Sequence, residues 1–248
     1  MKIFYWSRFV GAAGAQARAM RAVDRVVVFS DKDAALLRPY RPRRVDVVLP
    51  PLSDRGMPSS PSEIGLVDTK SVLFTAAFDR PENLEAASWL LREVWPLVIA
   101  REPEATLTLA GVDPNGDARR LAADQTGVAA TGYVNELGEF YRRSRVFVVP
   151  LRRGAGVKFK TVVAMLWGIP IVSTPIGVEG IGDDDLFVRV TDDADLFADG
   201  IVNAIVERDE SAQTAGVALE WVLDRYSDRA FAAAIAPVYL DEASGDGR

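Results

Sequence analysis

Residues 146–173, VFVVPLRRGAGVKFKTVVAMLWGIPIVS, contain the pattern that decides the fold. The apolar run Val146–Pro150 predicts a buried strand, and Gly154-Ala155-Gly156 predicts a turn. A helix is predicted over Val157–Trp167, and Ile169–Ser173 predicts the next strand. This order of strand, helix and strand is typical of an α/β domain with a parallel sheet.

The same alternation continues on both sides of this stretch. It predicts an α/β fold with a doubly wound, Rossmann-like parallel sheet over residues 71–225. The predicted strands are Val72–Thr75, Ala105–Ala110, Val128–Thr131, Val146–Pro150, Ile169–Ser173 and Phe187–Val190. The predicted helices are Glu82–Ala100, Asp117–Ala123, Glu136–Ser144, Val157–Trp167, Asp192–Arg208 and Glu210–Arg225.

The segments outside the sheet are shorter. Residues 51–70, rich in proline and serine, are predicted to be a linker, and residues 226–248 a C-terminal helix. Residues 1–50 are too few for a second domain and look like the end of one. Ser30 and Asp33 have the spacing of a cap that would open a short helix over Ala34–Leu37.

The composition excludes several kinds of chemistry. The 248 residues include no cysteine and no histidine. Disulfides, zinc fingers, a thiol nucleophile and a Ser-His-Asp triad are therefore excluded. No run of about eighteen apolar residues would span a membrane. Arginines interrupt the apolar patch near the start too early for a signal peptide, so a cytoplasmic location is expected.

Charge is unevenly distributed along the chain. The net charge is −6, yet residues 1–50 carry more basic than acidic side chains. A basic segment of this kind can bind nucleic acid or an anionic membrane surface, or it can pack against acidic surface elsewhere in the same fold. Because no aromatic residues alternate with these charges, nucleic acid is not an expected partner. Contact with a membrane surface has no further support in the sequence, and packing within the fold is preferred.

Three loops follow predicted strands at the carboxyl edge of the sheet, where open α/β sheets bind ligands: Ala76–Asn83, Gly132–Asn135 and Pro150–Lys158. In the third, Arg152 and two glycines lead directly into a helix with two lysines. Glycines let backbone N–H groups approach a ligand, and the helix N-terminus attracts anions, so this loop suits a diphosphate. A glycine-rich turn with solvated basic side chains explains it equally well. Neither a Walker loop nor Gly-x-Gly-x-x-Gly is present.

Several segments resemble one enzyme class in the same order. PLRRGAGVKFKTVVAMLWGIPIVSTPIGVEG is similar to the donor-site segment of retaining GT-B glycosyltransferases, the "glycosyl transferases group 1" class. VLFTAAFDRPENLEAASWLLREVWPLVIAREPEATLTLAG resembles the first strand–helix–strand unit of that class. TGYVNELGEFYRRSRVFVVPL resembles the segment that holds the nucleotide base, and ARAMRAVDRVVVFSDKDAALL the close of the N-terminal domain.

The resemblance implies that a nucleotide-diphosphate sugar is the substrate, with no separate cofactor. The implied donor-binding residues are Arg80, Asn83, Tyr133, Val134, Arg152, Gly154, Ala155, Gly156 and Lys158. Tyr133 and Val134 would lie by the base, and Arg80 and Asn83 would line the opposite wall. These residues also have explanations that need no ligand. Tyr133 would be a half-buried residue at a strand end, Arg80 a solvated charge and Asn83 a helix-start residue. Lys158 is favoured, because a cation in the first helical turn is disfavoured by the helix dipole unless an anion binds there.

The sequence departs from the family pattern at three places. The carboxylate that would hold the ribose hydroxyls is replaced by Val163, the preceding acid falls at Ala155, and an expected basic residue falls at Ala76–Ala77. A donor site without the ribose carboxylate would bind about 1–3 kcal/mol more weakly if its hydroxyls stay unpaired. Asp183–Asp185 are interpreted as solvated acids, so no metal site is assigned. No catalytic residue is assigned.

The expected function is that of a donor-binding GT-B domain that transfers a glycosyl group with retention. On the resemblance, residues 1–50 are a remnant of the acceptor domain. The alternative is an inactive paralogue or partner subunit that binds nucleotide, or another transferase, without turnover; Val163 favours it. A reading frame that starts upstream of Met1 is a third explanation. The expected partners are a nucleotide sugar and a second subunit or second copy that replaces the missing domain.

Overall fold

The computed structural model describes residues 14–15, 17–29, 31–52, 56–64 and 67–243. The chain forms two compact units, Met1–Pro51 with Arg225–Arg248, and Leu52–Asp224. We call the second the sheet unit. The domain boundaries given above stay predictions.

The smaller unit has a two-stranded parallel sheet. Its elements in the first part of the chain are β1 (Val26–Val28), α1 (Asp31–Leu37) and β2 (Val45–Val47). Arg25 lies just before β1, and its Nη1 is 3.8 Å from Oδ2 of Asp46 on β2. The same Nη1 donates a hydrogen bond of 3.5 Å to the carbonyl of Pro237 in the C-terminal helix. Ser30, the predicted cap, lies outside the described residues.

The sheet unit contains six parallel strands in the order β5-β4-β3-β6-β7-β8. They are β3 (Ser71–Thr75), β4 (Thr106–Ala110), β5 (Val128–Gly132), β6 (Val146–Val149), β7 (Ile171–Ser173) and β8 (Arg189–Val190). The predicted α/β fold with a doubly wound parallel sheet is confirmed. The chain reverses its direction of winding between β3 and β6, which is the topological switch point of such a sheet.

Helices connect the strands of the sheet unit and follow the last of them. They are α2 (Pro81–Trp89), α3 (Trp95–Arg101), α4 (Asp117–Ala122), α5 (Gly138–Arg143), α6 (Phe159–Leu166), α7 (Ala194–Val206) and α8 (Arg208–Tyr226). The smaller unit ends with α9 (Asp228–Ala243). Within the part of the chain that the structure describes, no helix has the length and apolar character needed to cross a membrane.

The two central strands form the core of the sheet unit. Leu73 and Phe74 on β3 and all four residues of β6 are fully buried, as expected for parallel strands covered on both faces. Outside the sheet, Trp89 of α2 meets Phe197 of α7 edge to face, with ring centroids 5.3 Å apart. These apolar contacts hold the helices against strands whose carboxyl ends carry the loops of the candidate site.

The helix predicted over Glu82–Ala100 is interrupted. A π-helical turn over Leu90–Val94 separates α2 from α3. Pro96 explains the position of this turn, because proline has no N–H to donate and its ring collides with the carbonyl four residues earlier. Pro96 instead occupies the first turn of α3, where no intrahelical donor is needed.

Helix α6 begins two residues later than predicted. Gly154 and Gly156 have φ values of +136° and +78°, and Lys158 is extended at φ −93° and ψ 96°. Because these backbone angles are not helical, the prediction of a helix from Val157 is wrong, and the first helical residue is Phe159. Lys158 therefore precedes the helix, and Lys160 lies in its first turn.

The carboxyl ends of β3 and β6 separate at the switch point. The two strands pair at Val72 with Val146 and at Leu73 with Phe147, and no further pairing is formed although both strands continue. This separation lies at the carboxyl edge of the sheet. The loop after β3 and the N-terminus of α6 lie at this edge.

The backbone of Ala76 approaches Gly111 closely. A Cβ atom there would lie 2.0 Å from the carbonyl oxygen of Ala76, and φ is +138°. We expect Gly111→Ala to lower the free energy of unfolding by more than about 2 kcal/mol, measured by urea denaturation. Gly116→Ala is the matched control, because its φ is +70° but its nearest neighbouring atom is 3.5 Å away. It should cost about 1 kcal/mol, and equal losses would contradict the role given to the close approach.

Candidate functional site

A cavity of about 560 Å³ lies at the carboxyl edge of the sheet. Loop residues after β3, β4 and β5 form its floor, and one face of α6 forms a wall. The lining residues used below are Thr75, Gly111, Tyr133, Val134, Tyr141, Phe159, Lys160, Val163 and Trp167. The position agrees with the expectation that open α/β sheets bind ligands beyond the carboxyl ends of their strands.

Lys160 is the cation inside this cavity. Its Nζ donates a hydrogen bond of 3.0 Å to Oδ1 of Asn83 and lies 4.9 Å from the centroid of the Phe74 ring. Asn83 is itself fixed by a hydrogen bond of 2.8 Å from Nδ2 to the carbonyl of Ala77. Among the described residues, no carboxylate forms an ion pair with Lys160. An ammonium group has three donors, and Asn83 accepts one of them.

The surroundings of Lys160 disfavour its charged form. Burial lowers the pKa of Lys160 to about 8, and the positive charge of Arg80 adds to this effect. The carboxylate of Glu82 opposes the shift but does not reverse it. A buried ammonium group without a carboxylate partner is expected to attract an anion, because the anion would restore the electrostatic stabilisation lost on leaving water.

The N-terminus of α6 adds to this attraction. No side chain caps the helix, although its first N–H groups have no partner within the helix. The helix dipole places partial positive charge at the same end. Backbone donors, the dipole and the Lys160 ammonium group thus act in one region, which suits a phosphate or diphosphate.

Aromatic side chains form part of the cavity lining. The rings of Tyr141 and Trp167 stack with centroids 6.0 Å apart and planes 1° from parallel. The hydroxyl of Tyr141 shares a hydrogen bond of 3.0 Å with the hydroxyl of Thr75. Burial raises the pKa of Tyr141 to about 12, so this phenol stays neutral. This part of the wall is therefore uncharged.

The glycine loop places its cations on other parts of the sheet unit. The Arg152 guanidinium lies over the Trp89 ring, 5.5 Å from its centroid, and Arg153 forms an ion pair with Glu85. The Nζ of Lys158 donates to the carbonyl of Gly156 and lies 3.3 Å from Oε2 of Glu179. These contacts attach the loop to α2 and to the segment after β7.

The structure brings some of the predicted site residues to the cavity and not others. Tyr133, which is 71% exposed, and Val134 line it. Asn83 is buried and reaches it through Lys160. Arg80 is exposed directly before α2. The lining does not include Arg152, Gly154, Ala155, Gly156 or Lys158. Whether any of these residues binds a donor stays a prediction.

Sequence reasoning did not select Lys160 as a site residue. A helix that starts at Val157, as the sequence predicts, places Lys158 in its first turn. The observed start at Phe159 places Lys160 there instead. The boundary follows from the positive φ values of Gly154 and Gly156, which the residue pattern does not specify. The aromatic wall of Tyr141 and Trp167 gave no comparable signal.

Asp183–Asp185 are the acidic cluster of the sequence. Among the described residues, no group of three Asp or Glu side chains is arranged to hold a metal ion. Asp184 and Asp185 lie in a short 3₁₀ turn.

Solved structures identify the class of fold. TarM from S. aureus, solved with fondaparinux, alpha-GlcNAc-glycerol and UDP, matches with a TM-score of 0.70 and 14% identity over 90% of this chain and 45% of TarM. Anabaena HepE, solved with UDP and glucose, matches with a TM-score of 0.64 and 16% identity over 90% of this chain and 63% of HepE. The sheet unit is thus a Rossmann-like domain of the type found in GT-B glycosyltransferases.

Sequence comparison identifies the family. The profile of the family described as "Glycosyl transferases group 1" matches residues 69–207, and the chain belongs to this family. An uncharacterized 44.6 kDa protein in the cps region of Klebsiella pneumoniae is 34% identical over 142 residues. The match covers 54% of this chain and 36% of that protein. The chain therefore spans about a third of this curated relative.

The depressed pKa of Lys160 predicts how stability depends on pH. Between the folded value of about 8 and the ordinary value of 10.5, the unfolded chain binds more protons at this residue than the folded chain. The free energy of unfolding should therefore rise with pH across this window. Relative to a Lys160→Met variant, the natural chain should gain up to about 3 kcal/mol.

Urea denaturation of both proteins at several pH values in this window measures the difference. Titrations that both proteins share cancel in the comparison, so the variant is its own control. A constant difference in unfolding free energy across the window would show that the Lys160 amine is not desolvated in the folded chain.

Proposed function

We propose that the sheet unit binds a nucleotide-diphosphate sugar and supports transfer of its glycosyl group with retention of anomeric configuration. The carrying observation is Lys160, a partly buried cation that lines a cavity at the carboxyl edge of the sheet without a carboxylate partner among the described residues. Family membership supports the same class of reaction. The presence of UDP in TarM and HepE supports a nucleotide ligand of this kind.

The diphosphate would lie at the start of α6. Lys160 would donate to it from inside the cavity, and the first backbone N–H groups of the helix would donate from its end. Gly154 and Gly156, which precede the helix, have positive φ values, and because they have no side chains a ligand could approach their backbone closely. Lys158 would contribute at longer range, because Glu179 already offsets part of its charge.

The base would lie at the opposite end of the cavity, beside Tyr133 and Val134. Both follow β5, two strands away from β3. The largely exposed Tyr133 ring can stack on a base, and backbone groups of the loop can read its edge. This placement retains the predicted roles of both residues and leaves the identity of the base open.

Transfer with retention would rely on the substrate's own phosphate groups for proton transfer. In the described residues of the cavity there is no side chain to which we assign a catalytic proton transfer. Lys160 and the α6 N-terminus would stabilise the negative charge that develops on the leaving diphosphate. A protein that binds a nucleotide sugar without turnover is the second candidate, and the apolar Val163 on the cavity wall favours it.

Calorimetric titration tests the binding site. UDP, GDP and ADP sugars are titrated into the natural chain and into Lys160→Met. We expect one nucleotide class to bind and its affinity to fall by at least about tenfold in the variant. Lys70→Met is the control, because Lys70 pairs with Glu102 and Glu104 at 2.9 and 3.0 Å, before β3 rather than at the cavity. Absence of binding to every nucleotide would refute the proposal.

Binding should also be accompanied by proton uptake. At a pH near the value of about 8 for Lys160, roughly half of these amines are neutral, and a bound diphosphate would raise the pKa. Up to about half a proton should then be taken up per ligand. The binding heat should vary with the ionisation enthalpy of the buffer for the natural chain and not for Lys160→Met. The same buffer dependence in both proteins would assign the proton to another group.

Turnover is measured separately from binding. Release of the nucleoside diphosphate from the bound donor, with and without a panel of sugar acceptors, distinguishes a transferase from a binding protein. Binding that is lost in Lys160→Met, together with no release above the buffer rate, would favour the second candidate.

A further inference from the structure

We propose that the pentose position of this site does not select ribose, so that 2′-deoxyribonucleotide donors bind at least as tightly as their ribonucleotide counterparts. Val163 is the residue that determines this lack of selection. The inference rests on the proposed function, because it concerns the middle of the same ligand.

The strand order fixes where the pentose would lie. Tyr133 and Val134 follow β5, Gly111 follows β4, and Lys160 lies over Phe74 of β3. Neighbouring strands are about 4.8 Å apart. A base beside β5 and a diphosphate in front of β3 are thus separated by about 10 Å, and the pentose lies between them over the end of β4.

One face of α6 lines the same cavity. Phe159, Lys160, Val163 and Trp167 all line the cavity. With a rise of about 1.5 Å per residue, the cavity follows the helix for about 10 Å from Lys160 to Trp167. Val163 comes one turn after Phe159 and one turn before Trp167, so it faces the middle of the ligand.

This middle section offers a 2′-hydroxyl no carboxylate or amide acceptor. The side chains of Phe159 and Val163 have no polar atom, and the Trp167 indole has a donor and no acceptor. The hydroxyls of Thr75 and Tyr141 share a hydrogen bond of 3.0 Å. No acidic or amide side chain is present among the described lining residues. A hydroxyl beside Val163 loses water without gaining a hydrogen bond from that side chain, whereas a CH₂ group packs against its apolar surface.

Paired titrations of UDP and 2′-deoxy-UDP test the proposal, because the two ligands differ only in the 2′-hydroxyl. For the natural chain we expect dissociation constants within about threefold of each other or tighter binding of the deoxy ligand. UDP binding about tenfold or more tightly than 2′-deoxy-UDP would overturn the inference and leave the proposed function intact. If the chain binds a guanine or adenine nucleotide instead, the same pair is titrated with that base; no binding of any of the three ribonucleotides or their 2′-deoxy counterparts would overturn both.

Val163→Glu supplies the missing acceptor. We expect this variant to prefer UDP over 2′-deoxy-UDP by about tenfold, although its added negative charge weakens the binding of both. The ratio of the two affinities is therefore the readout. Val163→Gln provides a neutral acceptor and should shift the ratio in the same direction if Val163→Glu does not fold.

Val217→Glu is the matched control, because Val217 is 47% exposed on α8 and does not line the cavity. Its affinity ratio should equal that of the natural chain. An unchanged ratio in folded Val163→Glu and Val163→Gln would show that this wall does not face the pentose, and would overturn the inference.

Discussion

The position of the Lys160 ammonium group depends on three features of the fold. The loops after β3, β4 and β5 line the cavity, the start of α6 at Phe159 puts Lys160 in its first turn, and Asn83 in the first turn of α2 accepts a hydrogen bond from the amine. The partners of the amine in the described residues are neutral, namely an amide oxygen and the Phe74 ring. Since neutral groups offset only part of the cost of removing a charge from water, the anion that we propose as ligand would complete the electrostatics of the site.

The sheet could be predicted from the sequence because each parallel strand is a short apolar run between helical patterns, as in Val146–Pro150. The site could be predicted only in part. The cavity lies at the predicted carboxyl edge, whereas the role of the glycine loop in binding stays a prediction, and whether Lys158 or Lys160 lies in the first helical turn depends on a boundary that differs from the prediction by two residues. This boundary is set by backbone angles at Gly154 and Gly156, which a residue pattern does not specify. The π-helical turn before Trp95 follows from Pro96, whose effect the apolar pattern of the helix does not show.

The partners of the basic residues in the glycine loop could not be predicted from the sequence, because they are distant in the chain. Glu85, the partner of Arg153, is 68 residues away in the chain, and Glu179 is 21 residues from Lys158. The Arg152 guanidinium packs over the Trp89 ring rather than pairing with a carboxylate. Three basic residues that together suggest an anion site therefore have partners within the sheet unit. Whether Arg152 or Lys158 also binds a donor stays a prediction.

The two ends of the cavity contribute different properties to binding. The Lys160 end attracts charge without distinguishing one phosphate ester from another. The wall of Val163 and Trp167 is apolar, and an apolar wall lowers the local dielectric and so strengthens the attraction exerted by Lys160. The Val163 side chain in this wall cannot form hydrogen bonds with the hydroxyl groups of a ligand. Under the proposed function, affinity and selectivity would depend on separate residues of one helix, and a substitution at Val163 would alter which donor binds without removing the Lys160 cation.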